Sequence, residues 1–72
     1  MLAYMDYGLI ERLSNGTETV LTFSYNASSV PPLVGQTLKF ASEGESRMML
    51  VLEIAERPKI KEGLQFVIVQ PA

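Results

Sequence analysis

The stretch Leu9-Ile-Glu-Arg-Leu-Ser-Asn-Gly-Thr-Glu-Thr-Val-Leu21 decides the fold class. Two apolar-rich runs meet across Ser14-Asn15-Gly16-Thr17. Asn-Gly at the centre of such a junction favours a type I′ turn, because both residues accept positive φ. The reading is a hairpin between strands spanning about Leu2 to Leu13 and Glu18 to Tyr25. With Ser14 opposite Thr17, Ile10 faces Leu21, Gly8 faces Phe23 and Asp6 faces Tyr25. Ile10, Leu21 and Phe23 then share the core side. Gly8 leaves bare backbone for the Phe23 ring and marks a bend or bulge. Tyr7, Leu9, Glu11, Leu13, Glu18, Val20, Thr22 and Ser24 fall on the opposite face.

Downstream, Gly, Pro, Asn and Ser punctuate short β-branched and aromatic runs, which is the all-β pattern. Asn26 to Gly35 reads as a loop, since Pro31 and Pro32 cannot donate to a ladder. Strands are expected over Gln36 to Ala41, Arg47 to Glu56 and Leu64 to Val69, with Ser42 to Ser46 and Arg57 to Gly63 between them. A tight Glu43-Gly44 turn would set Phe40 opposite Arg47. A loop longer by one residue sets Phe40 opposite Met48 and Leu38 opposite Leu50, and the apolar pattern favours that second register. Pro58 to Gly63 has room for one helical turn. Five short strands without a helix leave one sheet face bare unless the sheet curls. The expected fold is therefore all-β: one domain over residues 1–72, a small five-stranded antiparallel barrel or strongly curled sheet, SH3-like or OB-like.

Composition narrows the chemistry. The 72 residues include no Cys, His or Trp, so disulfides, thiolate catalysis, an ordinary zinc site and a His-based triad are excluded. No catalytic residue and no cofactor are expected. Six Lys and Arg against eight Asp and Glu give a net charge of −2, a poor footprint for phosphate backbones. Nucleic acid is therefore a disfavoured partner. Glu43 and Glu45 flank Gly44 but are too few for a calcium loop. Met48 to Leu52 is too short to span a bilayer, and no basic or apolar leader precedes Asp6, so a cytoplasmic, mature chain is expected. The sequons at Asn15-Gly-Thr17 and Asn26-Ala-Ser28 carry little weight without such a leader.

Three groups of residues remain as candidates. Tyr4, Asp6 and Tyr25 share a face in the expected register and form a candidate ligand cluster. Arg57, Lys59 and Lys61 alternate, and on an extended segment they line one side as a candidate anion contact. The apolar content carries the strongest signal. Met48-Met-Leu-Val-Leu52 and Phe66-Val-Ile-Val69 are apolar on both faces, as in central strands covered on each side. One face, Met48, Leu50, Leu52 and Ile54, fills the barrel in this reading. The other leaves Tyr7, Leu9, Val20, Met49, Val51, Val67 and Val69 outward, a patch that calls for a protein partner. The expected function is a non-enzymatic protein-interaction module, either a homodimer or a small accessory or inhibitor subunit. The alternative is a small-ligand or single-strand nucleic-acid binder built on the Tyr/Asp cluster and the basic turn.

Overall fold

The computed structural model describes residues 5–27 and 32–72. Its strands are β1 (Met5–Arg12), β2 (Glu18–Ala27), β3 (Thr37–Ser42), β4 (Glu45–Glu56) and β5 (Gln65–Pro71). They form one five-stranded sheet in the order β2-β1-β5-β4-β3. Neighbours are antiparallel except at the centre, where β1 runs parallel to β5 with Gly8 opposite Phe66 and Glu11 opposite Val69.

The sheet curls strongly. In a flat sheet β2 and β3, four spacings apart, would sit roughly 19 Å from one another. Here Leu21 and Tyr25 of β2 and Leu38 and Phe40 of β3 pack on the same buried cluster of Tyr7, Leu9, Met49, Val51, Val67 and Val69. The curl stops short of closure: among the described residues, no Cα of β2 comes within 8 Å of a Cα of β3. The result is a half-barrel with two free edges facing each other.

Both turns depart from the expected registers by one residue. Between β1 and β2 the Leu13 N–H donates to Thr17 O at 2.8 Å, the Gly16 N–H donates to Leu13 O at 2.9 Å, and Arg12 pairs with Glu18. The connection is therefore the three residues Ser14 to Gly16, with Gly16 left-handed at φ 88° and Asn15 outside that region. Asn15 contributes its Oδ1, which accepts the Thr17 N–H at 2.9 Å. A three-residue loop ending in a left-handed glycine suits the strand twist as well as the two-residue turn does. Between β3 and β4 the tight alternative prevails. Ser42 pairs with Glu45, and Glu43 (φ 54°) and Gly44 (φ 81°) both lie in the left-handed region, the type I′ signature. Phe40 sits opposite Arg47 and Leu38 opposite Met49.

Because side chains alternate, each one-residue slip exchanges the faces. Most of the expected facing is exchanged. Ile10, Phe23, Met48 and Leu52, expected to fill the barrel, lie on the outer face or exposed, and six of the seven residues expected to need a partner form the interior. Leu21 and Ile54 keep the inward side and Val20 the outer one. Tyr7, Leu9, Met49, Val51, Val67 and Val69 are all buried within this chain, while Met48 and Phe23 are half exposed. The outer face has its own smaller cluster, Ile10, Phe66 and Ile68, flanked by Val20, Leu52, Ala55 and Leu64. No helix covers it. The Phe23 ring meets Phe66 edge-on at 6.1 Å, and Lys61 Nζ lies 5.9 Å from the Phe23 ring centre. Phe66, rather than Phe23, occupies the space above Gly8. A bulge is present there: the β1–β2 register shifts on either side of Leu9.

Arg57 to Lys61 forms one helical turn, with the Ile60 and Lys61 N–H groups both donating to Arg57 O at 2.8 and 2.9 Å. Above the outer face, Arg12 joins Glu18 and Glu53 at 2.8 and 2.9 Å, and Arg57 reaches Glu18 at 3.6 Å.

Candidate functional site: the open seam between β2 and β3

The half-barrel's two free edges bound a groove. One stretch, about 410 Å³, is lined by Leu21, Thr22, Ser24, Tyr25 and Asn26 from β2 and by Phe40 and Ala41 from β3. A second stretch of about 210 Å³ shares Leu21 and Phe40 and continues to Glu43, Glu45 and Arg47. The two are one seam with a common apolar floor. Its local causes are legible: β2 places Leu21 and Tyr25 inward, and the tight Glu43-Gly44 turn rotates β3 and β4 so that Phe40 and Arg47 face inward too.

The seam is electrostatically asymmetric. Its lower end offers the neutral hydroxyls and amide of Thr22, Ser24 and Asn26. Its upper end carries Glu43 and Glu45, both exposed. Arg47 is the cation there, and its Nη1 donates to Glu11 Oε2 at 3.4 Å. That partner is largely withdrawn from water, with a side chain 12% exposed. Arg47 and Glu11 offset each other, so the upper end keeps a surplus of negative charge. Among the described residues, both edges also present backbone that no strand pairs on the seam side, the usual template for an added strand.

The residues singled out from sequence are dispersed elsewhere. Tyr4 lies outside the described residues. Asp6 pairs with Asn26, whose Nδ2 donates to Asp6 Oδ1 at 3.3 Å, whereas Tyr25 pairs with Tyr7 and packs on the interior. Adjacent positions on a strand point to opposite faces, so Asp6 and Tyr25 do not form one cluster. Arg57, Lys59 and Lys61 are wound into the helical turn rather than aligned on an extended segment. Arg57 is engaged with Glu18 and the Glu56 carbonyl, and Lys61 sits over Phe23. Of the seven residues expected as an interface, six are core, and Val20 is half-buried against the outer cluster.

The sequence pattern places Leu21 and Phe40 in the core and gives no sign of the seam beside them. The signal for Glu43, Glu45 and Arg47 is the Glu43-Gly44 turn, which the apolar pattern of β3 and β4 masks. Among the described residues no three metal-capable side chains gather, and no helix is long and apolar enough to cross a membrane. No family model, curated protein or solved structure matches the chain.

Proposed function

We propose that this chain is a non-enzymatic protein-interaction module that receives an extended segment of a partner in the seam between β2 and β3. The observation that carries the reading is the pair of free edges contributing Leu21, Tyr25 and Phe40 to one open groove. A gap wider than 8 Å exceeds the roughly 4.8 Å spacing of paired strands, and one inserted strand needs about two spacings. Backbone hydrogen bonds from the added strand would supply affinity, and alternate side chains over Leu21 and Phe40 would supply specificity. In mode of action this is a small curled sheet of SH3-like or OB-like kind binding an extended chain on its open side.

The partner-covered outer face of the sequence reading gives way to this edge, because the chain itself buries most of the residues that face was to contain. The small accessory or inhibitor role is kept; the dimer becomes one occupant of the seam among others. The ligand or nucleic-acid alternative loses its constellation, since Asp6, Tyr25 and the basic turn point to different surroundings.

Panning a displayed library of random ten-residue peptides tests the proposal. Selected peptides should show period-two apolar patterning and shift the amide resonances of β2 and β3 on titration. Selection of no peptide, or shifts confined to the outer face, would sink it.

A further inference from the structure

We infer that the segment seated in the seam carries Lys or Arg at the end that meets Glu43 and Glu45, with apolar side chains at alternate positions before it. This rests on the interaction reading above and names the chemistry of the partner. The groove supplies both halves of the pattern. Leu21, Tyr25 and Phe40 take apolar side chains from one face of a strand, while the upper end supplies carboxylates that, among the described residues, no cation answers. Arg47 is committed to Glu11. Lys39, the one cation on β3, alternates with Leu38 and Phe40 and so points away from the seam, and it pairs with Met48.

Direction follows from topology. β2 begins at the acidic end, since Thr19 is level with Glu11 and Glu11 reaches Arg47. It then runs away from that end. β2 is also the longer free edge, ten residues against six. A strand antiparallel to β2 therefore ends beside Glu43 and Glu45, which places the cation at the segment's C-terminal side. The β3 edge, Thr37–Ser42, offers six residues of extended chain at ~3.3 Å each.

A second copy of this chain fits poorly. Its net charge is −2, and its own free edges bring one Lys against Glu18 and the same acidic end, so self-pairing juxtaposes like charges.

The test uses three synthetic ten-residue peptides of valine and threonine. One alternates strictly and ends in Lys-Lys; a second ends in Glu-Glu; a third ends in Lys-Lys with its valines in one block. Each is titrated into the intact chain and into E43N/E45Q, with amide shifts mapped along β2 and β3. The asparagine keeps the turn, because Asn accepts positive φ. An exposed ion pair is worth a factor of up to about five. With two such pairs replaced by like-charge contacts, the alternating Lys peptide should bind in the seam about ten-fold more tightly than the Glu peptide, and the double variant should erase that preference.

Equal seam binding of the Lys and Glu peptides overturns the charge assignment and leaves the interaction reading standing. Equal binding of the blocked Lys peptide reduces the effect to bulk attraction and overturns it too. No shift in β2 or β3 with any peptide overturns both readings. Seam shifts that grow with protein concentration alone make a second copy the occupant, and the inference fails.

Discussion

Phe66 lies with its ring against the bare backbone of Gly8, its directly paired neighbour across the parallel β1–β5 ladder. A Cβ built on Gly8 would collide with Cδ1 and Cε1 of that ring. The ring is fully buried, pinned by Phe23 on one edge and packed with Ile10 and Ile68, so it has nowhere to retreat. Gly8→Ala should therefore destabilise the chain by about 1–3 kcal/mol, the usual cost of overpacking. Denaturant unfolding measures it, and Phe66→Leu added to Gly8→Ala should recover part of the loss. A Gly8→Ala variant as stable as the parent would contradict the packing.

Val51 and Val67 occupy the interior, and glutamate at either position buries an unpaired carboxylate. The cost, several kcal/mol, is comparable to the total stability of ~4–11 kcal/mol expected for a domain this size. Val51→Glu and Val67→Glu should give an unfolded chain by circular dichroism at neutral pH. A folded, dispersed spectrum for either variant would place these residues outside the core after all.

Glu43 is the only described non-glycine residue at positive φ. Left-handed backbone costs an ordinary L-residue about 1–2 kcal/mol, and Asn pays much less of it. Glu43→Asn should raise stability by about 0.5–1 kcal/mol in thermal or denaturant unfolding. A neutral or destabilising result would mean that the carboxylate contributes to the folded chain in its own right.

Glu18 accepts hydrogen bonds from the Arg12 guanidinium, and this, with the Arg57 charge nearby, holds its carboxyl below the usual range despite some desolvation. Hydrogen bonds to Glu18 and Glu53 raise the Arg12 pKa in turn. A carboxyl lowered on folding binds fewer protons than in the unfolded chain, so stability rises with pH across the interval between the two values. The contribution is complete above the ordinary carboxylate range and fades as pH falls through the folded value. These groups are solvent-accessible, so the effect is small and screened by salt. Glu18→Gln should flatten the acid limb of Tm against pH, and 1 M NaCl should flatten it in the parent. An acid limb unchanged by either treatment would assign the pH dependence to other carboxyls.

The strands themselves are legible in the sequence, and their faces are not. Arg47 to Glu56 and Glu18 to Tyr25 are expected close to the observed Glu45–Glu56 and Glu18–Ala27, because β-branched runs and Gly or Pro breaks mark strands whatever their register. Facing needs alternation, and Met48-Met-Leu-Val-Leu52 with Phe66-Val-Ile-Val69 has none. The register then hangs on single turn residues. At Asn15-Gly16 the glycine alone takes the left-handed position, and at Glu43-Gly44 the turn outweighs the apolar count. A further irregularity between Val51 and Glu53 exchanges the faces again within β4, so that Leu52 lies outward by alternation from Val51 while Ile54 turns inward. Bulges of this kind leave no composition to read. The seam was hidden for the same reason, since it exists only where correct facing and incomplete closure coincide.

The parallel ladder at the centre of the sheet also sets an order of assembly. β1–β2 and β3–β4 can each pair locally, yet neither half buries a core until β5 lies between β1 and β4. Phe66 to Val69 are thus the keystone of a chain whose decisive contacts are remote in sequence, and such topologies fold slowly. On the ribosome, four strands would wait with their apolar sides unsheltered until the fifth cleared the exit tunnel. Residues 65–71 therefore set the length of time during which this chain is open to misassembly.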